Sequence, residues 1–155
     1  MKRMLPYLFV IPVLLFAGCK KGIWVADRPF GVSDITGRWY LAEAAQNSGG
    51  GWRYMNTGLE KGTFSFYGNG AARYEDGYNI MTGTWDIFSL SDGYYDRYGD
   101  YYHDTHQAFR VRVYDSYTNN SVELYFDNIV TVGSSLIGTS YNGGTISRYV
   151  FDRDY

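Results

Sequence analysis

This sequence predicts an all-β, antiparallel fold of about eight to nine strands, and three observations predict it. Short segments alternate apolar and polar residues with a period of two, which puts one face on a core and leaves the other to water. Gly, Asn and Asp recur between them at Asn69-Gly70, Asp76-Gly77, Asp92-Gly93, Asn119-Asn120 and Asn142-Gly143-Gly144. Such residues accept the positive φ that tight hairpins need. The composition is rich in aromatic residues and glycine, with 17 Tyr, 9 Phe, 4 Trp and 19 Gly, and has few helix-forming runs.

The first predicted strand covers 36–42, with 42–46 allowing a helical turn too short to change the class. Strands follow at 62–67, where Phe64 and Phe66 share a face, and at 71–76 and 82–88. Phe109, Val111 and Val113 oppose Arg110, Arg112 and Tyr114 across 106–115. Val122, Leu124 and Phe126 oppose Glu123, Tyr125 and Asp127 across 121–127. Three more strands are predicted at 129–133, 135–141 and 145–152. Gly37-Arg38-Trp39, Gly62-Thr63-Phe64, Gly83-Thr84-Trp85 and Gly144-Thr145-Ile146 each set Gly two residues before a large apolar residue. A sharp entry followed by a core-facing row explains that echo as repeated hairpin geometry.

The N-terminus carries a different signal. Lys2 and Arg3 precede a hydrophobic run from Leu5 to Phe16, and small residues lead to Cys19 in Leu15-Phe16-Ala17-Gly18-Cys19. A charged front, a short apolar stretch and small residues at the cleavage point build a secretory signal. The stretch is shorter than the roughly 20 residues of a membrane span and is interrupted by Pro6 and Pro12. The ending resembles a bacterial lipobox, with Phe16 where Leu is usual. That resemblance implies acylation of Cys19 and a membrane partner through the lipid anchor. It implies a cell-envelope location, the outer membrane in a two-membrane bacterium because Lys20 is not Asp. The sequence then divides into a signal over 1–18, a lipidated tether over 19–33 and a barrel domain over 34–155. Cys19 is the single cysteine, so the mature monomer has no disulfide framework and no Cys-ligated metal. Loss of Lys2 and Arg3 with the signal takes the formal charge from −2 to −4. The remaining basic residues are scattered, which argues against a nucleic-acid partner.

Gly37-Arg38-Trp39 matches the Gly-x-Trp signature of lipocalins and their calycin relatives, and Tyr149 to Arg153 resembles the Tyr-x-Phe-x-Arg ending of lipocalin-like bacterial lipoproteins. The run Gly62 to Gly70, followed by Gly83-Thr84-Trp85, resembles strands two to four of the same proteins. The resemblance implies an up-and-down barrel whose end is closed by Trp39 against Arg153, with Arg148 the other candidate. A barrel of this size is either filled by its own side chains or holds one small ligand. For a small apolar or amphipathic ligand, Tyr125, Tyr149 and Arg153 are the candidate contacts, since Tyr stacks and hydrogen-bonds while Arg pairs with a carboxylate.

Residues 92–106 read Asp-Gly-Tyr-Tyr-Asp-Arg-Tyr-Gly-Asp-Tyr-Tyr-His-Asp-Thr-His. Tyr94, Tyr95, Tyr98, Tyr101 and Tyr102 form a candidate recognition loop for an envelope protein or a glycan, because Tyr offers rigid amphipathic area and Asp keeps it soluble. A hairpin whose tyrosines pack on one another is the bland alternative. His103 and His106 beside Asp100 and Asp104 are weak metal candidates without a recognised ligand spacing. There is no nucleophile elbow, P-loop or dinucleotide fingerprint. The expectation is a non-catalytic, cofactor-free, lipid-anchored protein that binds a small ligand in its barrel. The first alternative is an envelope interaction or assembly protein with a filled barrel. A metal-dependent hydrolase is the remote one.

Overall fold

The computed structural model describes residues 31–155, so the signal, Cys19 and the tether up to residue 30 lie outside the described residues. One short helix, α1 (Val32–Ile35), precedes twelve strands: β1 (Gly37–Asn47), β2 (Trp52–Tyr54), β3 (Thr63–Phe66), β4 (Ala71–Glu75), β5 (Ile80–Leu90), β6 (Gly93–Tyr95), β7 (Tyr101–His103), β8 (His106–Tyr114), β9 (Ser121–Phe126), β10 (Asn128–Val132), β11 (Ser135–Asn142) and β12 (Thr145–Arg153). The main sheet runs β10-β11-β12-β1-β3-β4-β5-β8-β9 with β2 added to β1, and every pairing is antiparallel. The chain is thus all-β and antiparallel, as the alternation predicts. The two strands that end this ladder, β9 and β10, are consecutive in sequence and separated by Asp127 alone.

The 42–46 segment is strand, correcting the helical turn. Register shifts between Leu41 and Glu43 where β1 pairs β12, so a bulge breaks the two-residue alternation just where the sequence pattern becomes ambiguous. Past it, Ala44 and Ala45 are both buried.

Inward residues from every long strand meet in one aromatic core. Trp39, Phe64, Phe66, Tyr74, Trp85, Phe109, Phe126 and Phe151 are all buried there. Phe109 stacks on Phe126 at 6.3 Å between ring centroids, Phe66 meets Phe109 edge-on at 5.4 Å, and Phe64 meets Phe151 edge-on at 5.8 Å. These offset and edge-to-face arrangements are the ones the ring quadrupole favours. Burying each such ring contributes about 2–3 kcal/mol. Phe126 also lies against Gly138 on β11, where a Cβ would come within 2.5 Å of its ring, so only glycine admits it. That contact carries the core from one end of the ladder to the other.

Candidate functional site

The structure brings Gly37, Trp39 and Arg153 together at one end of the core. Trp39 and Arg153 are register partners on β1 and β12, and the guanidinium lies 4.5 Å from the Trp39 ring centroid. Arg153 donates from Nη1 to Thr36 O at 3.1 Å and from Nη2 to Asp34 O at 2.8 Å, while Trp39 Nε1 donates to Ile35 O at 2.7 Å. The pair thereby satisfies carbonyls of α1 and of the residue after it, and pins the helix over the core. Gly37 stands at φ 136, and a Cβ there would meet Arg153 Nη1 at 2.7 Å, which accounts for glycine in the motif. Arg148, the other candidate, is elsewhere: it donates to Glu43 Oε1 at 2.7 Å and stacks over Trp52 at 4.4 Å.

The three candidate ligand contacts do not converge. Tyr149 points into the core, edge-on to Phe126 at 5.2 Å, and burial first and Glu60 second push its hydroxyl up. Arg153 shares its face of β12 but lies four residues along, roughly 13 Å away in an extended strand. Tyr125 is on the opposite face of β9 from Phe126, 6.2 Å from Phe88. Burial, then Asp127 and Asp92, push Tyr125 up. Two concavities lie on the outside: an open groove of about 560 Å³ lined by Tyr54, Met55, Asn56, Gly58, Glu60 and Lys61, and a smaller one of about 290 Å³ beside Arg38 and Arg73. Neither is walled by the core aromatics.

The tyrosine-rich segment forms its own small sheet, β6 with β7, in register Tyr94↔Tyr102 and Tyr95↔Tyr101. The sequence offered a hairpin here as one of two readings but gave no strand bounds, because three-residue runs of Tyr have no period to read. The segment is the hairpin of mutually packed tyrosines that the sequence offered as the alternative, with Tyr94 on Tyr102 at 5.7 Å and Tyr95 edge-on to Tyr101 at 5.2 Å, and it is also docked. Thr139 Oγ1 donates to Tyr95 O at 2.6 Å, Arg148 Nη1 donates to Arg97 O at 3.1 Å, and Tyr95 packs on Tyr141 at 4.8 Å. Thr139, Tyr141 and Arg148 lie on the face of β11 and β12 opposite Gly138 and Tyr149, which face the core. At the hairpin's root, Tyr94 lies 4.2 Å from the buried ring of His106. His106 Nδ1 sits 3.0 Å from Asp104 O, and Nε2 sits 3.5 Å from Asp92 Oδ1. Burial pushes the nearby Asp127 carboxyl up; Asp92 adds to this, against the Tyr141 N–H that bonds it at 2.7 Å. Tyr94 and Tyr95 are half-buried by this docking, whereas Tyr98, Tyr101 and Tyr102 are 61, 59 and 44 % exposed.

The metal candidates are separated by the same geometry. His103 is exposed on β7 and His106 is buried on β8. Among the described residues, no three His, Cys, Asp or Glu side chains group closely enough to hold an ion. No helix among them is long and apolar enough to cross a membrane. Comparison with known proteins finds no matching family model, no matching curated protein and no matching solved structure.

Proposed function

We propose that this chain is a lipid-anchored envelope interaction protein: a lipocalin-like barrel filled by its own aromatics that carries a tyrosine-rich hairpin for recognising a partner. Barrel closure is supported by the strand order. One residue, Asp127, is too short a link to reverse the chain, since even tight hairpins use a two-residue loop. In this reading β9 and β10 are therefore one bent strand whose first half pairs β8 and whose second half pairs β11. Counted so, β1, β3, β4, β5, β8, β9/β10, β11 and β12 form an up-and-down meander of eight. Following the registers around the circle gives a stagger of roughly a dozen residues, as a tilted closed sheet requires. Trp39 under Arg153 is the further feature in keeping with the lipocalin resemblance.

The single observation that carries the function is the docked hairpin. It holds Tyr98, Tyr101 and Tyr102 exposed on backbone already tied to β11 and β12, so little ordering entropy is lost when a partner lands. The small-ligand reading keeps one observation of its own: the Tyr74 hydroxyl is buried without a hydrogen-bond partner, and burial followed by Asp76 and Glu60 pushes it up. Two measurements separate the readings. Crosslinking in intact cells should recover an envelope partner from the parent chain and lose it in Tyr98→Ser/Tyr102→Ser. Native mass spectrometry of the purified chain should give the bare mass. An unaltered crosslinking pattern, or a bound small molecule of reproducible mass, would instead favour the ligand carrier.

A further inference from the structure

We infer that the outer edge of β7 is a docking site for an extended basic segment of a partner protein, which adds to the hairpin as a third strand. The inference rests on the recognition reading above and names the partner chemistry. β7 pairs β6 on one side, and among the described residues nothing pairs it on the other. Tyr101, Tyr102 and His103 are all exposed, so the edge offers unpaired backbone groups to an incoming chain. Proteins blunt such edges with shortness, charge, lysine, proline or a covering loop. This edge is three residues long and flanked by aspartates, with no lysine or proline in the strand, so it is open to a segment of the opposite charge.

Charge selects the occupant. Asp100 and Asp104 bracket β7, both exposed, and among the described residues no hydrogen bond or ion pair engages either carboxylate. Along 92–106 the acids are Asp92, Asp96, Asp100 and Asp104, against Arg97 alone, whose Nη2 donates to the Tyr98 hydroxyl at 2.9 Å. A second copy of this chain is disfavoured: antiparallel self-pairing about Tyr102 would set Asp100 opposite Asp104 of the other copy, and like charges directly opposite destabilise a pair. A strand with Lys or Arg at two positions four residues apart would set a cation opposite each carboxylate. Between them, its side chains would lie along Tyr102 on one face and Tyr101 on the other, where arginine or lysine can also stack on the rings. Thr139 and Arg148 tie down β6 and the turn after it, and β7 is held in place through its pairing with β6.

The test uses the full chain in mild detergent with a capped Lys-Thr-Val-Thr-Lys peptide and its Glu-Thr-Val-Thr-Glu counterpart. Amide chemical shifts and hydrogen exchange are followed by NMR. The lysine peptide should shift and slow the amides of residues 100–104, and the glutamate peptide should not. Asp100→Asn/Asp104→Asn should weaken the lysine peptide about tenfold with the hairpin's own shifts otherwise retained. The inference is overturned if the lysine peptide acts equally on that variant, if the response lies elsewhere, or if the chain instead dimerises through β7. Loss of the cellular crosslink in Tyr98→Ser/Tyr102→Ser alongside no response to the lysine peptide would sink this inference while leaving the recognition reading standing.

Discussion

Tyrosine does opposite work in the core and in the hairpin of this molecule. In the core, Tyr74 lies 4.8 Å from Phe64 and Tyr149 packs on Phe126, and burial pushes both hydroxyls up. In the hairpin, Tyr94 and Tyr95 hold the sheet while Tyr101 and Tyr102 are exposed, each stacked or edged against the half-buried partner across the ladder. The core depends on shape, so its glycines at 62 and 138 stand where Tyr74 and Phe126 would collide with a Cβ. The hairpin depends on a few polar anchors, chiefly Thr139 and Arg148. Loss of a core ring should therefore unfold the protein, whereas loss of an anchor should release one surface.

Phe126→Ala should have the largest effect. Its ring touches Phe109, Gly138, Tyr149 and Phe151, so its removal opens a cavity across the join between β9 and the strands beyond it. The expected loss is about 3–5 kcal/mol by urea unfolding. A loss below 1 kcal/mol would mean that the core is loosely packed there.

Arg153→Met should come next, at about 1–3 kcal/mol, because the carbonyls of Asp34 and Thr36 lose their donors while the methionine still covers Trp39. Unfolding of the variant, with tryptophan fluorescence as the probe, measures it. An unchanged midpoint would show that α1 adds nothing to the end of the core.

Thr139→Val removes the hydroxyl that holds Tyr95 O and keeps the volume. Global stability should fall by about 1 kcal/mol or less. Hydrogen exchange over β6 and β7 should accelerate while β3, β4 and β5 stay as they are. Uniform acceleration would place the hairpin in the same cooperative unit as the core.

The smallest effect concerns pH. Asp127 has a carboxyl pushed above its ordinary value, so its ionised form weakens the fold once pH rises through that raised value. Asp127→Asn should be slightly more stable than the parent near neutrality, and the difference should vanish in acid, where the parent carboxyl is protonated folded and unfolded. Asp76 and Asp115 run the other way. Asp76 is lowered first by the Asn79 N–H and Asp115 first by the Thr118 hydroxyl, so the stability they add is lost as pH falls through their lowered values. Unfolding curves at two pH values, one near neutral and one acidic, test both signs.

The difference between core and hairpin also explains what could be read in advance. The clearest strand announces itself by alternation, with Phe109, Val111 and Val113 of β8 all buried on one face. The nearness of Trp39 and Arg153 was legible because both stand at ends of strands with recognisable motifs. The bulge in β1 hid 42–46, and α1 and β2 are too short for any period to show. Docking of the hairpin was invisible for another reason. Thr139 and Tyr95 are 44 residues apart, and Arg148 and Arg97 are 51 apart, on segments whose local patterns give no sign of each other. A Thr facing outward from a strand reads as solvent-exposed until something is seen to cover it.

Exposure alone does not distinguish the hairpin, since Tyr78 and Tyr117 are 97 and 95 % exposed in turns. What distinguishes Tyr101 and Tyr102 is the held strand beneath them. Amide hydrogen exchange of the unbound chain tests that most directly. Only alternate pairs of an antiparallel ladder exchange N–H···O bonds, so one of the pairs Tyr94/Tyr102 and Tyr95/Tyr101 supplies the cross-strand amides. These should exchange well over tenfold more slowly than in an unstructured peptide, through a local opening that leaves the core closed. Exchange of every hairpin amide at the unstructured rate would contradict a preformed recognition surface and leave the tyrosines on a loose loop.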